Sequence, residues 1–145
     1  MATIRQATAR DLPGITQVRT SVRENHLSVE QLAARGITEA SVAASFLADS
    51  KGWVAEHEGA IVAFSIADRA TGSIFALFVL PDHAGAGLGR SLLTLAVAWL
   101  RENGIGTIWL TTGRGTSAAD FYRHMGWTET TPTADGQHRF ELTDA

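Results

Sequence analysis

Gly85, Gly87 and Gly89 alternate with small or apolar residues in the run PDHAGAGLGRSLL. This run follows the apolar stretch IFALFVL, Ile74 to Leu80, and opens a long amphipathic segment. Glycine reaches positive φ without steric cost and carries no Cβ to hold a ligand away. Several main-chain N–H groups can then converge on one anion. The first turn of the following helix adds its own unpaired N–H groups and the positive end of its dipole. The chemistry on offer is the holding of phosphate oxygens, and the turn reads as a pyrophosphate cradle.

Two common phosphate motifs do not fit. A P-loop ends in Gly-Lys-Ser/Thr, whereas Gly89 is followed by Arg90 and Ser91. The dinucleotide pattern G-x-G-x-x-G, started at Gly87, needs glycine where Leu92 stands, and no acidic residue closes the segment Ile108 to Thr112. There is no cysteine, which removes a disulfide framework, a thiolate zinc site and a cysteine nucleophile. The five histidines show no metal-ligand spacing, so no metal is expected, and no Gly-x-Ser-x-Gly elbow is present.

The cradle needs a strand before it and a helix after it, and the sequence supplies both. Ile74 to Leu80 is a buried strand stopped by Pro81. The helix places Leu88, Leu92, Leu95 and Trp99 on one stripe, with Leu93, Ala96 and Leu100 beside it, and ends at Asn103 and Gly104. Thr107 to Thr112 then returns as a strand parallel to the first, making a βαβ crossover. Upstream, Thr3 to Ala7 is a short strand, and Thr8 with Asp11 reads as a capping box opening a helix whose early turn tolerates Pro13. Ile15, Val18 and Val22 form its buried face, with Arg19, Arg23 and His26 along another. Two short helices follow between Leu27 and Ser50, capped by Ser28 with Gln31 and by Thr38, and Gly52 ends the helical region. Trp53 to His57 and Ala60 to Ala67 form a hairpin around Glu58 and Gly59, and a turn at Ala70 to Gly72 leads to the central strand. Ala118 to Met125 is a helix stopped by Gly126, and Trp127 to Thr131 and His138 to Leu142 are strands around an Ala134 to Gly136 turn.

With 145 residues, 45% hydrophobic content and a net charge of −3, residues 1–145 read as one domain with a sizeable core. No run of charge favours nucleic acid or an anionic membrane, so a polyanionic ligand must be held locally. No stretch approaches the roughly 20 apolar residues of a membrane span, and no signal-peptide pattern opens the chain, so cytoplasmic residence is the expectation. The sequence leaves a homodimer open.

The run Ala84, Gly85, Ala86, Gly87, Leu88, Gly89 resembles the Arg/Gln-x-x-Gly-x-Gly/Ala signature of the GNAT superfamily, the acetyl-CoA-dependent N-acetyltransferases. Ala118 to Trp127 similarly resembles its A-x-x-F-Y-x-x-x-G-F/W motif, and the element order matches over nearly the whole chain. The resemblance implies an α/β (α+β) GNAT fold: a mixed sheet of about seven strands flanked by about four helices, splayed at its two central parallel strands. It implies acetyl-CoA as cosubstrate, an amine acceptor, and direct attack in a ternary complex. Main-chain groups of Ala84, Gly85, Ala86, Gly87, Leu88 and Gly89 would hold the pyrophosphate. Ala84 departs from the usual Arg or Gln, which predicts weaker CoA affinity, and Arg90 is placed to restore charge. Leu77 would donate its N–H to the acetyl oxygen, while Phe78 and Val79 line the pantetheine arm through main-chain bonds. Tyr122, the chain's single tyrosine, would be the general acid. A phenol of reference pKa about 10 can protonate a thiolate of about 8.5 without prior ionisation.

Gly115 replaces an asparagine that usually contacts CoA, and Arg123 is a candidate for the ribose phosphate. Glu24, His26, Glu56, His57 and Asp68 are candidate bases, with none assigned. Arg19, Arg23 and Asn25 lie in the acceptor wall of this fold; arginines facing the cleft there would suit a substrate with a carboxylate beside its amine. The rival reading is a catalytically silent acyl-CoA sensor or interaction module of the same fold. A different acyl group, such as propionyl, also stays open.

Overall fold

The computed structural model describes residues 2–22, 27–113, 117–133 and 136–143. Strand β1 (Thr3–Gln6) leads through a 3-10 turn into helix α1 (Leu12–Ser21), followed by α2 (Val29–Ala34) and α3 (Glu39–Phe46). A meander of β2 (Ser50–His57), β3 (Ala60–Asp68) and β4 (Ser73–Val79) precedes α4 (Leu88–Glu102). The chain closes with β5 (Thr107–Thr112), α5 (Ser117–His124), β6 (Thr128–Glu129) and β7 (His138–Thr143). The strands form one seven-stranded sheet in the order β1-β2-β3-β4-β5-β7-β6, antiparallel except for β4 and β5. This is the mixed, splayed sheet the resemblance implies.

Period-two alternation sends residues to two cores, one on each face of the sheet. Val54, Phe64 and Ile66 meet Leu12, Ile15 and Val18 of α1. Trp53, Ala55, Ala63 and Ala67 meet Leu88, Leu92, Leu93, Ala96 and Leu100 of α4. The small residues of β3 let α4 approach closely enough for the buried Ser65 hydroxyl to donate to the Leu92 carbonyl at 3.1 Å. Fully burying a leucine contributes about 1.5–3 kcal/mol, so Leu92, Leu93 and Leu100 anchor α4 firmly.

Side-chain capping marks the starts of the 3-10 turn before α1 and of helices α2 and α3. Thr8 donates its N–H to the Asp11 carboxylate at 2.8 Å, and Asp11 also takes two hydrogen bonds from Arg5 at 2.8 and 2.9 Å. Ser28 and Gln31 cap α2 reciprocally, as do Thr38 and Ser41 for α3. Helix α4 ends on Gly104 at φ 82°, with Ile105 N–H reaching the Leu100 carbonyl and Gly104 N–H the Arg101 carbonyl, a Schellman closure.

Three details correct the sequence reading. Gly52 does not end a helix. It lies inside β2, where a Cβ would come within 3.0 Å of the Phe46 ring and 3.3 Å of Ala7, so any larger residue would have to push the end of α3 aside. Leu95 is 38% exposed: the buried face of α4 runs through Leu92, Leu93, Ala96 and Leu100 instead. The strand expected over Trp127 to Thr131 is only Thr128–Glu129, and Trp127 packs in the core. Ala134 of the expected last turn lies outside the described residues.

Candidate active site

The sheet opens at its centre. β4 and β5 are paired only at Ser73 and Trp109, so their C-terminal ends diverge. The register of β3 on β4 then decides which main-chain groups face the gap. Leu80 donates its N–H to the Val62 carbonyl at 2.9 Å, and the same register pairs Phe64 with Phe78 and Ile66 with Ala76. In an antiparallel ladder alternate residues exchange hydrogen bonds. Phe78 and Ala76 therefore spend theirs on β3, and Leu77 and Val79 turn N–H and C=O toward the gap, where β5 has moved away. The expectation that Phe78 contributes main-chain groups is corrected by this parity; its ring, not its backbone, meets the cleft.

At the wide end of the gap lies the glycine turn. Gly85 and Gly87 both hold φ 82°, a left-handed conformation that L side chains resist. Gly87 is the N-cap of α4 and offers no side-chain cap. Among the described residues, the N–H groups of Gly85 through Arg90 find no protein acceptor. A Cβ on Gly89 would sit 3.7 Å from Phe121 and 3.8 Å from Val79, in the space where the turn, α5 and β4 converge. A Cβ on Gly85 or Gly87 would meet nothing within 4 Å, so their unpaired N–H groups stand beside open space of the kind a pyrophosphate needs.

Tyr122 comes to the same space on α5. Its ring is 5% exposed and packs against Phe121, Trp127 and Phe140 at centroid distances of 5.3, 5.8 and 5.8 Å. The helix stop helps to set that packing: Gly126 at φ 91° lets Trp127 fold back and donate to the Tyr122 carbonyl at 3.0 Å. No described polar side-chain atom is both sealed and unpartnered, and the Tyr122 hydroxyl has no protein hydrogen bond, so that oxygen opens onto the cleft. Burial pushes the phenol well above its ordinary pKa, keeping it protonated through neutral pH.

One cleft of about 1080 Å³ joins these parts. Leu77, Phe78, Val79, Ala84, Gly85, Gly87, Leu88, Gly89, Arg90 and Tyr122 all line it; Ala86 does not. The opposite wall comes from α1, α2 and α3, and includes Arg19, Arg35 and Glu39. His83 and His124 also line the cleft and were missed in the sequence, although His83 stands just before the glycine run.

Other candidates lie elsewhere. Glu56 pairs with Arg5 at 2.8 Å, His57 faces the His83 ring at 5.3 Å, and Asp68 accepts from the Ala70 N–H at 2.8 Å, none of them lining the cleft. Arg123 bonds Asp120 and Glu129 at 2.9 and 2.6 Å rather than facing the cleft. Arg23, Glu24, Asn25, His26 and Gly115 lie outside the described residues. No group of three or more metal-binding side chains occurs among the described residues, and no helix among them is long and apolar enough to cross a membrane.

Residues 15–127 match the Acetyltransferase (GNAT) family. The chain belongs to this family. Among curated GNAT relatives, the [Ribosomal protein bS18]-alanine N-acetyltransferase of Escherichia coli (strain K12) is 36% identical over 92 residues, covering 56% of this chain and 61% of the relative. Mycothiol acetyltransferase of Cellulomonas flavigena is 35% identical over 79 residues, covering 54% of this chain and 23% of the relative. The match thus spans less than two thirds of either protein. In structure, PaiA N-acetyltransferase from Thermoplasma acidophilum, solved in complex with coenzyme A, superposes with a TM-score of 0.82 at 16% identity, over 99% of both chains. At that identity the likeness concerns the GNAT fold.

Proposed function

We propose that residues 1–145 form a single acetyltransferase domain that moves an acetyl group from acetyl-CoA to a primary amine of a small molecule or peptide, by direct attack in a ternary complex. The observation that carries this reading is the continuity of one cleft from the open start of α4, past the outward main-chain groups of Leu77 and Val79, to the Tyr122 hydroxyl. The N–H groups of Gly85, Gly87, Leu88 and Gly89 hold the pyrophosphate, with Arg90 adding charge at the rim. Ala84 adds none.

The attacking amine forms a C–N bond at the thioester carbonyl, whose oxygen gains charge opposite the Leu77 N–H, a donor fixed by the strand and needing no reorganisation. The C–S bond then breaks and its electron pair goes to sulfur. Tyr122 gives its proton to that thiolate, while the amine nitrogen releases one to water. A phenol already held protonated by burial is ready for this step.

Acetyl-CoA at millimolar concentration is expected to raise the melting temperature, and a panel of amines, amino acids and peptides is expected to release free CoA thiol. A protein that gained stability yet released no thiol with any acceptor would be a silent acyl-CoA-binding module instead. Ala84 in place of the usual cation and Gly115 in place of the usual asparagine are the features that favour that second reading.

A further inference from the structure

A bulge in the central strand re-aims one side chain. β3 and β4 pair residue for residue from Ala63 with Val79 to Ile66 with Ala76, then resume at Ala67 with Ile74, so Phe75 alone in β4 has no partner on β3. An extra residue of this kind breaks the alternation of faces and redirects its side chain. Phe75 is 48% exposed, whereas Ile74 beside it is 5% exposed. It lines the cleft, and its ring meets no other ring among the described residues. Val29, the first residue of α2, lines the facing wall and is 55% exposed. The large apolar side chains exposed among the described residues are Val29, Leu47, Phe75 and Leu95, and of these Val29 and Phe75 line this cleft. Apolar surface left wet inside a groove gains free energy when a ligand covers it.

Position along β4 shows which ligand that is. The glycine turn and the outward groups of Val79 and Leu77 lie on the side given to acetyl-CoA. Phe75 stands two residues beyond Leu77, about 7 Å at the rise of a strand. That direction leads to the closed end of the gap at Ser73 and Trp109. A two-carbon acetyl group held at the Leu77 N–H ends short of Phe75, which leaves the ring to the acceptor. The cleft of about 1080 Å³ also takes the thioester end of the donor, so the share that remains is that of a small ligand. We infer that the acceptor is a small primary amine with a bulky apolar substituent beside its amino group, covered by Phe75 on one side and Val29 on the other. This inference rests on the amine-acetylation reading and names the class of amine.

The test offers amines in pairs that differ in apolar bulk: ethylamine and phenethylamine, glycinamide and leucinamide, and, as a peptide arm, Gly-Gly-Gly and Leu-Gly-Gly. Two readouts are taken, thiol release with saturating acetyl-CoA, and calorimetric binding to the CoA-loaded protein, which needs no turnover. In at least one of the two small-amine pairs the bulkier member is expected to be preferred by about tenfold or more in both readouts. Phe75→Ala, at an exposed position, should erase that preference while CoA affinity stays unchanged. Val29→Thr, which keeps the shape and replaces a methyl by a hydroxyl, should reduce it in part. Leu47→Ser, outside the cleft, should leave it intact. Small and bulky amines handled alike in both small pairs, or a preference that Phe75→Ala leaves whole, overturns the inference even if amines are acetylated. A preference confined to the peptides overturns it in favour of a polypeptide end. A dimer in sedimentation that Phe75→Ala dissociates, with no preference among amines, overturns it in favour of a second copy. Bulky amines that bind preferentially but yield no thiol leave this inference standing and overturn the transfer reaction.

Discussion

Helices α2, α3 and α4 begin in two different ways. At α2 and α3, Ser28 with Gln31 and Thr38 with Ser41 fold side chains back onto the first-turn N–H groups. The longest helix, α4, begins at a left-handed Gly87 with no side chain to spare. The short helices close their ends because their role is to stay folded. The long one, held by Leu92, Leu93 and Leu100 in the core, can leave its donors open for a ligand. Among α2, α3 and α4, capping thus separates two starts closed by side chains from one left open beside the cleft.

The largest expected effect separates holding from chemistry along the cleft. Tyr122→Phe should lower the acetyl-transfer rate at least about 100-fold while acetyl-CoA affinity stays within about twofold. Equal rates would remove the phenol from the reaction. Because burial raises the Tyr122 pKa, the wild-type rate should climb with pH as the acceptor amine deprotonates, with no fall from phenol ionisation below about pH 10. Next, Gly87→Val should weaken acetyl-CoA binding about 10- to 100-fold by straining the left-handed turn and crowding its donors. Unchanged affinity would make the open end of α4 no different from the closed ones.

The closed starts should behave in the opposite sense. Asp11→Asn should cost about 1–2 kcal/mol of stability without changing acetyl-CoA affinity. The hydrogen bonds from Arg5 hold the Asp11 carboxyl below its ordinary pKa. Its contribution is therefore complete above the unfolded value near 3.9 and disappears as pH falls through the lower folded value, so acid melting curves of the two proteins should converge. Thr38→Ala should cost about 1 kcal/mol, again with unchanged binding. If either change weakened the ligand as strongly as Gly87→Val, the contrast between the two kinds of start would fail.

Much of this was legible in the sequence because it depends on local chemistry. The capping pairs, the glycine spacing, the meander and the crossover all follow from residues close together in the chain. The aromatic box around Tyr122 was half legible, since Gly126 and Trp127 follow it directly, whereas Phe140 reaches it through β7. The cleft's second wall could not be read in full: Arg19 was a candidate, but Arg35 joins it as a lining residue only because α1 and α2 share one side of the cleft. Gly52 misled because a glycine packed tightly under the Phe46 ring looks the same in sequence as one that ends a helix. The outward main-chain groups of Leu77 and Val79 depend on register, which the apolar run IFALFVL leaves undecided.

The divergence of β4 from β5 gives this sheet two interior rims besides its outer ones. Unsatisfied strand borders invite foreign chains to add on, and the outer borders here are kept short, with four residues in β1 and two in β6. The inner pair differs: it closes to a point at Ser73 and Trp109, so its unpaired groups face each other across a wedge inside the sheet and not along a free outer edge.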